Sequence, residues 1–276
     1  MNLIFKNSGS IDGFVQWLKN FSTITQSLLI EVDTNEKKFV SKTFTPDKGL
    51  VRYSEISFEQ AGFVLESNQK LENRLKLGIF LVLQRFIQIC ELFSGTDFEF
   101  IVNYEQSTDE DSSEEFISDS ITLKSKSLTM RVDEASVNEF TYLNDDVFNN
   151  SIHAVEAPTQ ITISPEMVKN LIAISGIYAE GAKKDFMIFY SKKKEDGYSI
   201  VVRDKFSNYE YELGEYVPTG KKFEEFSATI FREKFLLALK GLSEDLNLIM
   251  SSLNPSRILF DTVSESTKTV ISIVNE

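Results

Sequence analysis

The strongest constraint in this sequence is the recurrence of one helix and strand pattern. Apolar residues with a period near 3.6 predict four helices, Ile11–Phe21, Val82–Phe93, Pro165–Ser175 and Phe231–Lys240. The first two are separated by almost the same length of chain as the last two. In each half a short strand precedes the first helix, and several strands separate the two helices. The exits of the second helices also agree: Leu92-Phe93-Ser94-Gly95-Thr96-Asp97 leads into Phe98–Ile101, and Leu242-Ser243-Glu244-Asp245 leads into Leu246–Ile249. This predicts an α+β fold in which one unit is used twice, too few copies for a solenoid. The polar segment Asn144–Gln160, which contains Pro158, is the predicted join. The domains are then residues 1–143, a connector 144–159, and residues 160–276.

In the first predicted helix Ile11, Phe14, Val15, Trp17, Leu18 and Phe21 share one arc, opposite Asp12, Gln16, Lys19 and Asn20. In the second, Gln84, Arg85, Gln88 and Glu91 form the polar stripe, into which Leu92 strays. Ser164 reads as an N-cap with Pro165 at the first helical position, where its missing N–H is not needed. Gly241 reads as the stop of the fourth helix. That helix has Leu237 on its polar side and is the least regular. Elsewhere β-branched and aromatic runs bounded by turn residues predict strands, and Asp196-Gly197 predicts a hairpin turn.

With 23 Phe and 9 Tyr the chain has ample surface to bury, which excludes a disordered class. One cysteine, Cys90, excludes a disulfide framework. No apolar leader is visible, and the most apolar stretch, Leu77–Phe93, is too short and too interrupted to span a bilayer. The expected location is a reducing cytoplasm, with no membrane partner. A net charge of −13 argues against coating nucleic acid by bulk charge. Seven of the acids lie in Glu105–Asp119, which has no Lys or Arg and reads as a solvated loop between strands.

Catalytic and metal motifs fail on inspection, so no enzyme, cofactor or metal is expected. The single histidine, His153, lies in the polar connector, and one Cys with one His cannot supply a zinc site. Gly214–Lys222 has five residues between its glycines where a phosphate loop has four, and Lys222 stands where Ser or Thr would hold Mg²⁺. The run from Asp109 has Glu114 where a calcium loop needs its turn glycine. What remains is charge placement. Every predicted helix carries a basic residue on its polar arc, namely Lys19, Arg85, Lys169, and then Lys234 and Lys240. Such faces set side by side would meet phosphate backbones without reading bases.

These features together resemble the DNA sliding clamps. Leu18–Ile24 resembles the N-terminal helix and strand of the T-even phage clamp. Ile161–Leu171 is similar to the strand and helix that open a C-terminal clamp domain, and Phe226–Val274 to the last third of proliferating cell nuclear antigen. The resemblance covers Asn2–Ser107 and Thr159–Val274; the acidic segment reads as an insertion. It implies a homotrimeric ring of six similar domains around double-stranded DNA, with Lys19, Arg85, Lys169, Lys234 and Lys240 facing the hole. It further implies a processivity factor that tethers a DNA polymerase and is opened by an ATP-dependent clamp loader. A partner peptide would lie in a groove bordered by Ile152, Val155 and Pro255. The phage likeness implies a viral origin and a host cytoplasm. The competing reading is a non-enzymatic, β-rich viral structural or assembly protein.

Overall fold

The computed structural model describes residues 1–7, 10–45, 49–66, 71–79, 82–106, 116–133, 159–177, 186–216, 227–239, 242, 244–250, 257–262 and 267–274. The chain forms two compact units. Met1–Thr43 with Tyr53–Asn144 make the first, and Phe44–Arg52 with Asp145–Glu276 make the second.

The first unit runs β1 (Asn2–Asn7), α1 (Asp12–Ser22), β2 (Leu28–Asp33), β3 (Lys38–Phe44), β4 (Leu50–Ser57, of which Leu50–Arg52 cluster with the second unit), β5 (Phe63–Leu65), β6 (Leu75–Ile79), α2 (Leu83–Leu92), β7 (Phe98–Gln106), β8 (Phe116–Lys124) and β9 (Thr129–Asp133). Its strands follow the order β4-β3-β2-β6-β8-β7-β1-β5, with β9 also on β8. The pairs β1–β5, β1–β7, β2–β3, β2–β6, β7–β8 and β8–β9 are antiparallel, while β6 and β8 run parallel through Leu75–Phe116 and Lys76–Ile117. The apolar arcs of α1 and α2 supply Phe14, Trp17, Leu18, Phe21, Phe86, Ile87 and Cys90 to one core. Phenylalanine dominates its centre. The Phe5 ring lies 5.5 Å from Phe39, 5.1 Å from Phe58, 6.1 Å from Phe63 and 5.8 Å from Phe100. Offset and edge contacts of this kind add to the area term of burial.

One close approach fixes the start of α1. Gly62 has φ +79, and a Cβ there would strike the Ser10 carbonyl; a Cβ on Gly13 would strike that of Gln60. Asn7 Nδ2 donates to the Ser10 and Gly62 carbonyls at 3.0 and 2.6 Å, tying the same two loops.

The second unit runs β10 (Thr159–Ile163), α3 (Pro165–Ile177), β11 (Phe186–Lys193), β12 (Tyr198–Asp204), β13 (Glu210–Tyr216), β14 (Ser227–Phe231), α4 (Arg232–Leu239), β15 (Leu246–Met250), β16 (Arg257–Thr262) and β17 (Thr267–Val274). One antiparallel run has the order β10-β15-β16-β17 and another β13-β12-β11-β14. Ser164 caps α3 as expected: its Oγ accepts the Met167 N–H at 3.2 Å, and its carbonyl starts the helix through Val168. Lys194 N–H donates to the Gly197 carbonyl at 2.9 Å and closes the β11–β12 hairpin around Asp196-Gly197. Arg52, which belongs to this unit, has a fully buried side chain and donates to the Ala238 carbonyl in the last turn of α4. A cation there complements the helix dipole, while burial pushes its pKa down to about 9.

Two expectations need correction, and one strand escapes the sequence pattern. Phe231 is the last residue of β14 and not the first of a helix: it pairs with Phe186, and their rings lie 4.7 Å apart. The acidic loop is shorter than expected at both ends. Glu105 belongs to β7 and Phe116–Asp119 to β8, held by Tyr104 against the Phe116 ring at 5.7 Å; residues 107–115 lie outside the described set. The short strand β5 has no counterpart in the sequence reading, because three residues carry too little alternation to detect.

Candidate nucleic-acid interface

In the first unit α1 and α2 pack against each other. Trp17 Nε1 donates to the buried Ser54 Oγ at 3.0 Å, which fixes the rotation of α1 on its sheet. Asp12, Gln16 and Lys19 thus face outward on α1, while on α2 Gln84, Arg85, Gln88, Glu91 and Leu92 are exposed. Lys19 Nζ forms an ion pair with Glu91 Oε1 at 2.7 Å across the two helices. Asp12 accepts from Ser10 Oγ at 3.0 Å and from Ser94 Oγ at 3.1 Å, joining the start of α1 to the chain just past α2. Lys19 and Arg85 thus share one helix-pair face.

In the second unit α3 and α4 also touch, though more sparsely. Lys169 is exposed on α3. Lys234 is only half-exposed: its ammonium lies 5.5 Å over the Phe231 ring and against the backbone of Gly49. Lys240 lies outside the described residues. Arg232, which the sequence reading does not single out, joins the pair by donating from Nε to Ser175 Oγ at 3.1 Å. The signal for it is a cation at the first position of the helix, hidden because the apolar period starts that helix one residue early.

The charges on these helices are close to balanced. α1 and α2 carry Asp12 and Glu91 against Lys19 and Arg85. α3 and α4 carry Glu166 and Glu233 against Lys169, Arg232 and Lys234. The cations alone suggest a basic surface; the acids on the same helices make it nearly neutral in the first unit and weakly basic in the second. A face this close to neutral would hold a polyanion only loosely and without sequence preference.

Two strands lie at the margins of their sheets among the described residues. Strand β13 ends its sheet, with Glu210, Glu212 and Glu215 exposed along it. Lys192 donates to Glu210 at 2.8 Å and holds its carboxyl below the usual range, helped by the Tyr190 hydroxyl. Burial and that same carboxylate push Tyr190 up to about 12. Strand β9 has β8 on one side, and Thr129 and Arg131 are exposed along it, with Lys124 exposed beside it on β8.

Other chemistry is sparse. Among the described residues no three His, Cys, Asp or Glu side chains are grouped to hold a metal ion, and no described helix is long and apolar enough to cross a membrane. Cys90 is fully buried, which pushes its thiol well above the usual range. Gly214 sits inside β13 facing Ile161, not in a loop. His153, Ile152, Val155 and Pro255 lie outside the described residues.

No protein-family model and no curated protein matches the sequence. Solved structures do match. A structure of A. fulgidus PCNA bound to the C-terminal region of FEN-1 superposes with a TM-score of 0.64 at 14% identity, covering 100% of this chain and 98% of that one. PCNA from Entamoeba histolytica gives 0.62 at 10% identity, covering 99% and 98%. A PCNA2–PCNA3 complex from Sulfolobus tokodaii gives 0.59 at 13% identity, also covering 99% and 98%. Over its whole length, this chain has the sliding-clamp fold of proliferating cell nuclear antigen.

Proposed function

We propose that the chain is a DNA sliding clamp: three copies close head-to-tail into a ring that encircles duplex DNA and tethers a DNA polymerase as a processivity factor. The observation that carries this reading is the end-to-end match to PCNA, made by a chain whose four described helices form two pairs with weakly charged outer faces. Loose, sequence-blind contact suits a protein that must stay on DNA yet move along it. The clamp makes or breaks no bond. It acts by topology, and by raising the concentration of its bound partner at the primer end.

The sheet edges support self-association. An edge left open invites pairing with another chain; among the described residues β13 exposes Glu210, Glu212 and Glu215, ion-paired to Lys192 and Lys194, and β9 carries Arg131 with Lys124 beside it on β8. Pairing β13 of one copy with β9 of the next is a heterologous contact that yields a ring when its rotation closes. Facing the hole would be Lys19, Arg85, Lys169, Lys234 and Lys240, joined by Arg232. A partner's peptide would dock beside Ile152, Val155 and Pro255; one solved structure of this fold, A. fulgidus PCNA, is bound to the C-terminal region of FEN-1. Ring opening falls to an ATP-dependent loader.

Arg131→Cys and Glu212→Cys in one chain, treated with a short bismaleimide, test the reading. Covalent products should end at three copies, and the locked ring, once on circular DNA, should survive high salt and leave when the circle is cut. Open-ended ladders, or equal retention on linear DNA, would contradict it.

A further inference from the structure

Glu91 is an acid where neither local nor global stability asks for one. It lies in the last turn of α2, where the helix dipole disfavours negative charge. Its carboxylate forms an ion pair with Lys19 on the neighbouring helix, at 2.7 Å. The two side chains are 45% and 44% exposed, and an ion pair that wet adds little to folding. What Glu91 does alter is the charge that Lys19 offers to anything outside. Resting on the clamp reading, we infer that Glu91 is a built-in competitor for DNA: it holds the Lys19 ammonium in exchange with passing phosphates and so keeps the first unit's grip on the duplex weak.

The charge arrangement favours this. Without Glu91 the α1–α2 face would hold Lys19 and Arg85 against Asp12 alone, and Asp12 is engaged by Ser10 and Ser94 at the far end of α1. With Glu91 the face sums to zero. In the second unit Arg232 donates to Ser175 and Lys234 lies over Phe231, but Lys169 is exposed and the two helices sum to one positive charge, so the firmer phosphate contacts fall there. Because a phosphate replaces a carboxylate at Lys19 without leaving the ammonium bare, each sliding step changes the contact energy little.

The test is a salt series of fluorescence-anisotropy titrations with a short labelled duplex. It compares the wild type, Glu91→Gln, Lys19→Gln and the double variant, with Glu91→Ala as a second replacement. Glu91→Gln and Glu91→Ala should bind several-fold more tightly at low salt. Their plot of log affinity against log salt should steepen by roughly 0.9 for each Lys19 that gains a phosphate. Lys19→Gln alone should move the slope little, and adding it to Glu91→Gln should abolish the gain. Unchanged slopes in both Glu91 variants would overturn the inference. So would a gain that survives removal of Lys19, since that would mark bulk charge and not exchange. A wild type with no salt-sensitive duplex binding would instead contradict the clamp reading itself.

Discussion

Phe5→Ala is the sharpest probe of how the first unit holds together. Phe5 is fully buried on β1, and its ring meets those of Phe39, Phe58, Phe63 and Phe100 at centroid distances of 5.1 to 6.1 Å. Replacing a buried Phe by Ala loses its transfer free energy and leaves a cavity, together about 3–5 kcal/mol. Because Phe39, Phe58, Phe63 and Phe100 all face the space that would open, the expectation sits at the upper end, about 4–5 kcal/mol. A unit of this size has about 5–15 kcal/mol in all. With a urea dependence of about 2 kcal/mol per M, the midpoint should fall by roughly 2 M. Trp17 is the protein's single tryptophan and sits in this unit with its N–H on buried Ser54, so its fluorescence reports this transition. Phe5→Leu, which fills most of the space, should cost about 1–2 kcal/mol. A loss below about 2 kcal/mol for Phe5→Ala, or equal losses for both variants, would refute the picture of a closely packed aromatic centre.

Other outcomes follow from single sites. Burial acts to raise the Asp33 carboxyl, but the backbone N–H groups of Glu36 and Asn35 at 2.9 and 3.0 Å, with Arg74, outweigh it and hold it below its usual range. Its contribution to stability is therefore present above the unfolded carboxylate range and lost as pH falls through the folded value. Asp33→Asn should flatten the acid limb of the stability curve, and superimposable acid unfolding curves would contradict this. Buried Cys90 should resist thiol reagents in the native protein and react once urea opens the unit; fast native labelling would contradict its burial. Gly62→Ala and Gly13→Ala should each lose about 2 kcal/mol or more in urea melts, from backbone collision at both and strain at the positive φ of Gly62. Unchanged melts would mean that the loops at the start of α1 sit farther apart.

Much of the architecture is legible in the chain because it is local. Helical periodicity alone puts Trp17, Phe21, Phe86 and Cys90 inside and Lys19 and Arg85 outside, and Ser164-Pro165 marks the start of α3. Leu92 strays into the polar stripe of α2 in the sequence and is 63% exposed in the fold. What is not legible is non-local. Nothing near Arg52 announces that its side chain will be buried against a carbonyl 186 residues away, nor that Phe44–Arg52 will cluster with the second unit. The candidate DNA face shows the same divide. Its cations can be picked from helical arcs, but the pairing of Lys19 with Glu91 and the resting place of Lys234 on Phe231 depend on how elements meet. Arg232 escapes a reading by period because a strand ending in Phe231 runs straight into the helix, and period alone does not separate the two.

The central claim is a closed ring of three copies, and native mass tests it most directly. Sedimentation velocity or native mass spectrometry across a concentration series should reveal a species at three times the 31.5 kDa chain mass, growing with concentration and weakening when Arg131 and Glu212 are exchanged singly for residues of opposite charge. A protein that stays monomeric at every concentration, or stops at two copies, would contradict the ring.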